Sequence, residues 1–324
     1  MRNGENVRSV EKGWRKQHIQ DSLWRIFELL QLGWVRDDTG IASFLPSGIM
    51  AWKVLNNKHG VEGQEMTYEN LIVNVGDDFV GSITLNRPQQ LNTFTTALAT
   101  ELHRALLEMD QDPSVRVVLL KGEGKAFCAG IDVNELADKT ALQYRDWIEH
   151  MEQPLLAISR MKKPVIAQLQ GVAAANGMGL IAAADLVIAA ENAKMGLTAI
   201  NVGLNCVGPV IPVARIVGRK KALELLLFGD LIKAPEAMAM GLVNRVVPKE
   251  DLEKEAAEWA RVLAKKSPVA IQIAKKAFYA SEDLEYNKQF ELMNEAFARL
   301  CTTHDAKEGV AAFFEKRKPE WKGC

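Results

Sequence analysis

Apolar positions along the chain fall into two periodicities that separate its elements. Alternation with a period of two runs through residues 71–75 and 80–85, on either side of Gly76-Asp77-Asp78, and predicts a β-hairpin. Pro88 closes that region. Over 95–110 the period lengthens, so that Leu98, Leu102, Ala105, Leu106 and Met109 share one stripe of a helix. The runs 115–121 (VRVVLLK) and 164–169 (PVIAQL) are almost continuously apolar, as strands buried on both faces are. A helix is predicted between them, over 144–161, and another begins at Gly179. A strand follows at 185–189, short helices at 220–228 and 234–240, a strand at 242–247, and helical stretches at 249–265, 269–279 and 284–300. Strands alternating with helices place the fold in the α/β class. The apolar stripes of the last helices are either core or an oligomer interface.

Residues 1–65 read differently. Four of the seven tryptophans lie there: Trp14, Trp24, Trp34 and Trp52. Residues 21–34 suit one amphipathic helix capped by Asp21 or Ser22, and beyond it the pattern is irregular. We expect 1–65 to be a poorly ordered or dispensable extension, 66–265 the core, and 266–324 a helical C-terminal region.

Composition narrows the function classes. Hydrophobic residues make up 48% and charged residues 25% of the 324 positions, ordinary for a soluble globular protein. A formal net charge of −1 argues against nucleic acid or a polybasic membrane surface as partner. Cys128, Cys206, Cys301 and Cys324 are far apart, and the five histidines show no ligand spacing. No metal site is expected, and a reduced, cytoplasmic compartment is the simplest reading. No apolar run is long enough to span a membrane.

Two segments carry candidate chemistry. GEGKAFCAGID (122–132) follows a buried strand and holds Gly122, Gly124 and Gly130, which let the backbone approach a ligand closely. KPVIAQLQGVAAANGMG (163–179) runs from a buried strand through a small-residue loop into a helix. Free N–H groups and the positive dipole end of that helix suit a developing negative charge. Gly177 to Ala182 also fits the dinucleotide pattern G-x-G-x-x-A. That match fails on context: five residues, Val172 to Asn176, separate it from Gly171 and the preceding strand, and no acidic residue stands at ribose distance.

Together the two segments resemble the paired signature of the enoyl-CoA hydratase/isomerase (crotonase) superfamily. The resemblance extends from Met66 to Lys322 and takes in ITLNRP (83–88), AADLVIAAENAKMGL (183–197), ARIVGRKKALELLLFGD (214–230), AMGLVNRVVP (239–248) and the tail DAKEGVAAFFEKRKPEW (305–321). It implies a crotonase-like spiral of ββα units with a C-terminal helical region that assembles trimers or hexamers. It implies an acyl-CoA thioester as ligand, with no cofactor beyond the coenzyme A of the substrate. The thioester oxygen would meet the backbone N–H groups of Ile131 and Asn176. Lys125, Ala126, Phe127, Ala129, Gly130 and Gly177 would line the substrate. Phe297 and Lys316 match positions near the nucleotide end of CoA.

The chain departs from the family pattern where protons move. Hydratases of this family use two glutamates, whose motif positions fall on Gly179 and Ala199. The middle glycine of the oxyanion loop has become Asn176, whose side chain either positions water without titrating or reflects asparagine's tolerance of left-handed backbone. Replacement acid/base groups are sought in 132–152, where Asp132 and His150 are the leading candidates and Glu135, Asp138, Tyr144 and Glu152 are further ones. Asn201 and Asn205 are expected near the pocket wall, and Cys206 beside them could be acidified by main-chain dipoles. Hydration of a 2-enoyl-CoA is the leading reaction. Double-bond isomerisation or thioester hydrolysis on the same fold, and non-catalytic acyl-CoA binding, are the alternatives.

Overall fold

The computed structural model describes residues 68–136 and 138–324, together with the strands β1 (Trp34–Arg36) and β2 (Ala42–Phe44). Backbone contacts divide the chain into two units, Met1–Thr67 and Tyr68–Cys324. In the first, β1 and β2 pair antiparallel with Trp34 opposite Phe44. Of the helix expected over 21–34, all but Trp34 lies outside the described residues, and Trp34 opens a strand.

The second unit opens with the expected hairpin. Strands β3 (Leu71–Val75) and β4 (Val80–Leu85) pair antiparallel, with Leu71 opposite Leu85. Only Leu71 of β3 is fully buried, as suits an edge strand, whereas Ile83, Thr84 and Leu85 of β4 are all buried. Helix α1 (Thr96–Gln111) follows, its first turn capped by Thr95 Oγ1, which accepts from Leu98 N at 3.1 Å. Its buried face holds the predicted stripe of Leu98, Leu102, Ala105, Leu106 and Met109. Strand β5 (Val117–Gly122) buries its first four residues in succession, so both of its faces are covered there.

Helix α2 (Ala141–Arg160) packs along α1 and starts at a capping box between Thr140 and Gln143. Strands β6 (Val165–Leu169) and β7 (Val172–Ala174) lead into α3 (Asn176–Ala183), every residue of which is buried. Strands β8 (Leu186–Ala190) and β9 (Lys194–Gly196) come next. Helix α4 (Val210–Phe228) is broken at Gly218, whose φ of 75° and ψ of 166° no helix accommodates. The segment expected at 220–228 is its second half. Strand β10 (Ile232–Lys233), helix α5 (Ala234–Ala239) and strand β11 (Arg245–Val247) complete the sheets. The larger sheet has the order β11-β8-β6-β5-β4-β3, parallel except at the hairpin, and the smaller one the order β10-β9-β7.

Four helices end the chain: α6 (Leu252–Ala264), packed across β5, β6 and β8; α7 (Pro268–Ser281); α8 (Tyr286–Cys301); and α9 (His304–Glu315). One buried network ties α7 to the core. Lys275 Nζ donates to Ile158 O, Lys163 O and Asp185 Oδ2 at 2.8, 2.9 and 2.6 Å, and Tyr279 OH donates to Asp185 Oδ1 at 2.9 Å. Each polar group there is satisfied, which a buried ion pair requires. Helices α8 and α9 leave Phe290, Phe297, Phe313 and Phe314 exposed among the described residues.

Candidate active site

The two glycine-bearing segments meet backbone to backbone. Phe127 N donates to Gln170 O and Cys128 N to Val172 O, both at 3.1 Å, and Ala174 N donates to Cys128 O at 2.9 Å. These bonds lay the loop after β5 alongside β7. Two glycines permit the approach. A methyl group on Gly171, whose φ is +62°, would lie 1.9 Å from Lys125 O. One on Gly177 would lie 2.2 Å from Cys128 O. The loop is also held from within by Asn92, fully buried, whose Nδ2 donates to Glu123 O at 3.0 Å and Ala126 O at 2.8 Å. Asn92 escaped the sequence reading because its partners lie more than thirty residues on. Its only local signal is a turn-forming residue soon after Pro88.

This clamp orients two amides. Phe94 N donates to Gly130 O at 2.8 Å, and Asp132 N donates to Phe94 O at 3.0 Å. Because extended backbone alternates its sides, the N–H of Ile131 points away from Phe94. Asn176 is the first residue of α3, where an N–H has no intrahelical acceptor and the helix dipole is positive. Among the described residues, neither amide has a protein acceptor. Both residues line one cavity of about 590 Å³. Tyr144, Trp147 and Ile148 of α2 form another wall, and Ala199, Asn205, Cys206 and Gly208 close it further.

The left-handed residue of this loop is Ala175, with φ 48° and ψ −111°, and not Asn176, which is helical. Tolerance of left-handed backbone therefore does not explain the asparagine. Asn176 is 3% exposed, and its Nδ2 has no hydrogen-bond partner among the described residues. A buried donor left open on a cavity wall is costly unless a ligand uses it.

The proposed proton carriers stand elsewhere. Asp132 caps a short turn: its Oδ1 accepts from Asn134 N and Nδ2 at 3.1 and 2.9 Å, and its Oδ2 from Thr93 Oγ1 at 3.2 Å, with Arg87 Nη2 3.5 Å away. Burial alone would raise its pKa, but these donors outweigh it and hold the carboxyl below its ordinary value. His150 Nε2 lies 2.8 Å from Thr100 Oγ1, on the side of α2 that faces α1. Neither Asp132 nor His150 lines the cavity. Glu135 is likewise committed, accepting from Thr96 N and Oγ1 at 2.8 and 2.6 Å. Asn201 donates to Gly229 O at 3.0 Å and is structural. Burial pushes the Cys206 thiol up, opposite to the acidification expected of it, and pushes Cys128 up to about 12.

The predicted CoA contacts divide. Gly130, Ala129 and Gly177 belong to the clamped backbone beside Ile131 and Asn176. Ala126 is buried and the Phe127 ring lies in the core, so their side chains are closed to a ligand, while Lys125 is exposed. Phe297 on α8 is 67% exposed, and Lys316 follows α9 in a left-handed cap. Neither reaches the cavity within one chain.

Residues 77–324 match the family model for enoyl-CoA hydratase/isomerase. The chain belongs to that family. A putative enoyl-CoA hydratase of Thermus thermophilus is 36% identical over 253 residues, 77% of this chain and 100% of the relative. The mitochondrial enoyl-CoA hydratase domain-containing protein 3 of Rattus norvegicus is 32% identical over 75% of this chain and 82% of its own length. A crystal structure of enoyl-CoA hydratase from Mycobacterium smegmatis superposes with a TM-score of 0.76 at 36% identity, covering 78% of this chain and 98% of that one. The fold is thus the α/β crotonase fold with C-terminal helices.

Against this family's pattern, the two glutamate positions differ physically as well as chemically. The space beside Gly179 is filled, since a methyl there would lie 2.9 Å from Leu155 Cδ2 and 3.0 Å from Pro209 Cβ. Ala199 borders the cavity itself. No carboxylate lines the cavity among the described residues.

Proposed function

We propose that this chain binds an acyl-CoA thioester, receives its carbonyl oxygen between the N–H groups of Ile131 and Asn176, and turns it over through an enolate-type oxyanion. The observation that carries this reading is the pair of unpartnered amides on the wall of one largely apolar cavity. Such donors are in place before charge develops, so they stabilise it without reorganising, and one donor is worth about 10²–10³ in rate. The reaction we assign is hydration of a 2-enoyl-CoA. Polarising the thioester draws electrons from the double bond, water adds at Cβ, and Cα takes a proton. The names carried by the Thermus and Mycobacterium relatives support that choice. The exposed phenylalanines of α8 and α9 support assembly into a homotrimer or hexamer, where a neighbour would cover them.

A second reading has an observation of its own. With no carboxylate on the cavity wall, the chain would serve as an acyl-CoA binder without turnover. Incubating the protein with a panel of saturated and 2-enoyl-CoA thioesters separates the two, with products followed by mass spectrometry in water and in heavy water. A gain of one water on the enoyl substrates supports hydration. Deuterium at Cα without added water would assign isomerisation instead, and free CoA would assign thioester hydrolysis. Binding with no mass change and no deuterium uptake would leave only the binder.

A further inference from the structure

Two cavities meet at Gly208. One is the acyl cavity described above. The other, about 530 Å³, is lined by residues of α2, the end of α3, α4 and α7. Gly208 is the residue common to both walls among the described residues. On α2, Ile148 faces the first cavity, and Glu152, one turn further along, faces the second. The Glu152 carboxylate rests against the bare backbone of Gly208: a methyl group there would sit 1.7 Å from Oε1. Only a residue without a side chain lets the carboxylate lie this close to the backbone that both cavities share. Leu155, the next residue on that face of α2, fills the space beside Gly179.

The carboxylates around the second cavity are committed, with one exception. Asp185 accepts from Lys275, Tyr279 and Val165 N. Glu282 and Asp283 bind Arg215, at 2.9 and 2.8 Å, and so occupy its guanidinium. Glu152 has no hydrogen bond or ion pair among the described residues, although it is partly buried. Burial, and then the charge of Glu149 one turn before it, push its carboxyl upward. That is the direction a group needs if it is to both accept and release a proton near neutrality.

We propose that Glu152 is the acid/base group of this site, acting across the side-chain-free wall at Gly208. The proposal rests on the acyl-CoA reading above. Its carboxylate takes a proton from the water whose oxygen bonds to Cβ. The π electrons of the double bond move to Cα and the thioester oxygen, which Ile131 and Asn176 hold. Cα then takes the proton back from the Glu152 carboxyl, and the carbonyl re-forms. One water is added and the carboxylate is restored.

The test compares the full chain with Glu152→Gln and Glu152→Asp. Turnover is measured on a panel of 2-enoyl-CoA thioesters, and binding on butyryl-CoA by calorimetry. Glu152→Gln is expected to lower kcat by about 100-fold or more while leaving butyryl-CoA affinity within about threefold, and Glu152→Asp to fall between it and the native chain. Native kcat/KM is expected to fall as pH drops through the raised pKa of Glu152, and that limb to vanish in Glu152→Gln. Equal kcat in Glu152→Gln, or an unchanged acid limb, overturns the proposal. A native chain that binds butyryl-CoA but hydrates no member of the panel also overturns it and leaves the binding reading standing. A native chain that binds no thioester removes both.

Discussion

Ile131 and Asn176 meet the cavity with main-chain N–H groups, while Gly179 and Ala199 stand at the family's proton-transfer positions with side chains that hold no proton. Both pairs belong to the same stretch of fold, yet the amide donors are in place and the carboxylates are not. The difference lies in which atoms do the work. An amide donor survives any substitution that preserves the backbone path, so asparagine at 176 keeps it. A carboxylate exists only as a side chain, so glycine at 179 and alanine at 199 end it. The space beside Gly179 is filled by Leu155 and Pro209.

That contrast can be broken at several points. The largest effect is expected where the lost carboxylate is put back. Gly179→Glu forces an unpaired charge into filled space and should cost about 4 kcal/mol, whereas Ala199→Glu, on the cavity surface, should cost less than about 1 kcal/mol; urea unfolding midpoints compare them. Equal costs would show that the space at Gly179 is not closed. Gly177→Ala should follow, at about 3 kcal/mol, because its methyl meets the Cys128 carbonyl and pushes the amide wall apart. Calorimetry should show loss of thioester binding along with it. A stable Gly177→Ala chain with native affinity would mean that the clamp does not set the wall.

The smaller effects concern residues that the sequence favoured as proton carriers. Asp132→Asn should cost about 1 kcal/mol at neutral pH through the weakened cap and the lost Arg87 pair. The sign with pH is fixed by the depressed carboxyl. Its contribution is present above the ordinary carboxylate pKa and disappears as pH falls through the lower folded value, so the two chains should converge below about pH 4. Chemical unfolding across that range measures the convergence. His150→Ala should change stability by no more than about 0.5 kcal/mol and leave turnover native, since the ring bonds to Thr100 on the side of α2 that faces α1 and does not line the cavity. A loss of turnover in either variant with the fold intact would return that residue to the mechanism.

Much of the fold was legible because burial writes a period into the sequence. The continuous apolar runs at β5 and β6 and the stripe of α1 lie where they were expected. Strands β7, β9 and β10 were not legible, because two or three residues are too few to show alternation. The first half of α4 was hidden by Pro209, Pro212 and Gly218, which read as breakers, although the prolines sit at the helix start and only Gly218 breaks it. In the site, the glycine-punctuated segments revealed themselves, since close backbone approach demands glycine. What stayed hidden depends on distant pairing. Asn92 holds a loop more than thirty residues away, the strain falls on Ala175 next to the suspected Asn176, and Glu152 is distinguished only by its fit against Gly208.

The central claim is that two backbone amides receive a thioester oxygen, and the carbonyl reports on that directly. Isotope-edited infrared difference spectroscopy of butyryl-CoA labelled with carbon-13 at the thioester carbonyl isolates this one stretch in the bound state. Hydrogen bonds from Ile131 and Asn176 weaken the C=O bond, so the band should move to lower frequency on binding and sharpen into a single population. The shift should be retained in Glu152→Gln. A bound thioester whose carbonyl band stays at its solution frequency and width would contradict the account.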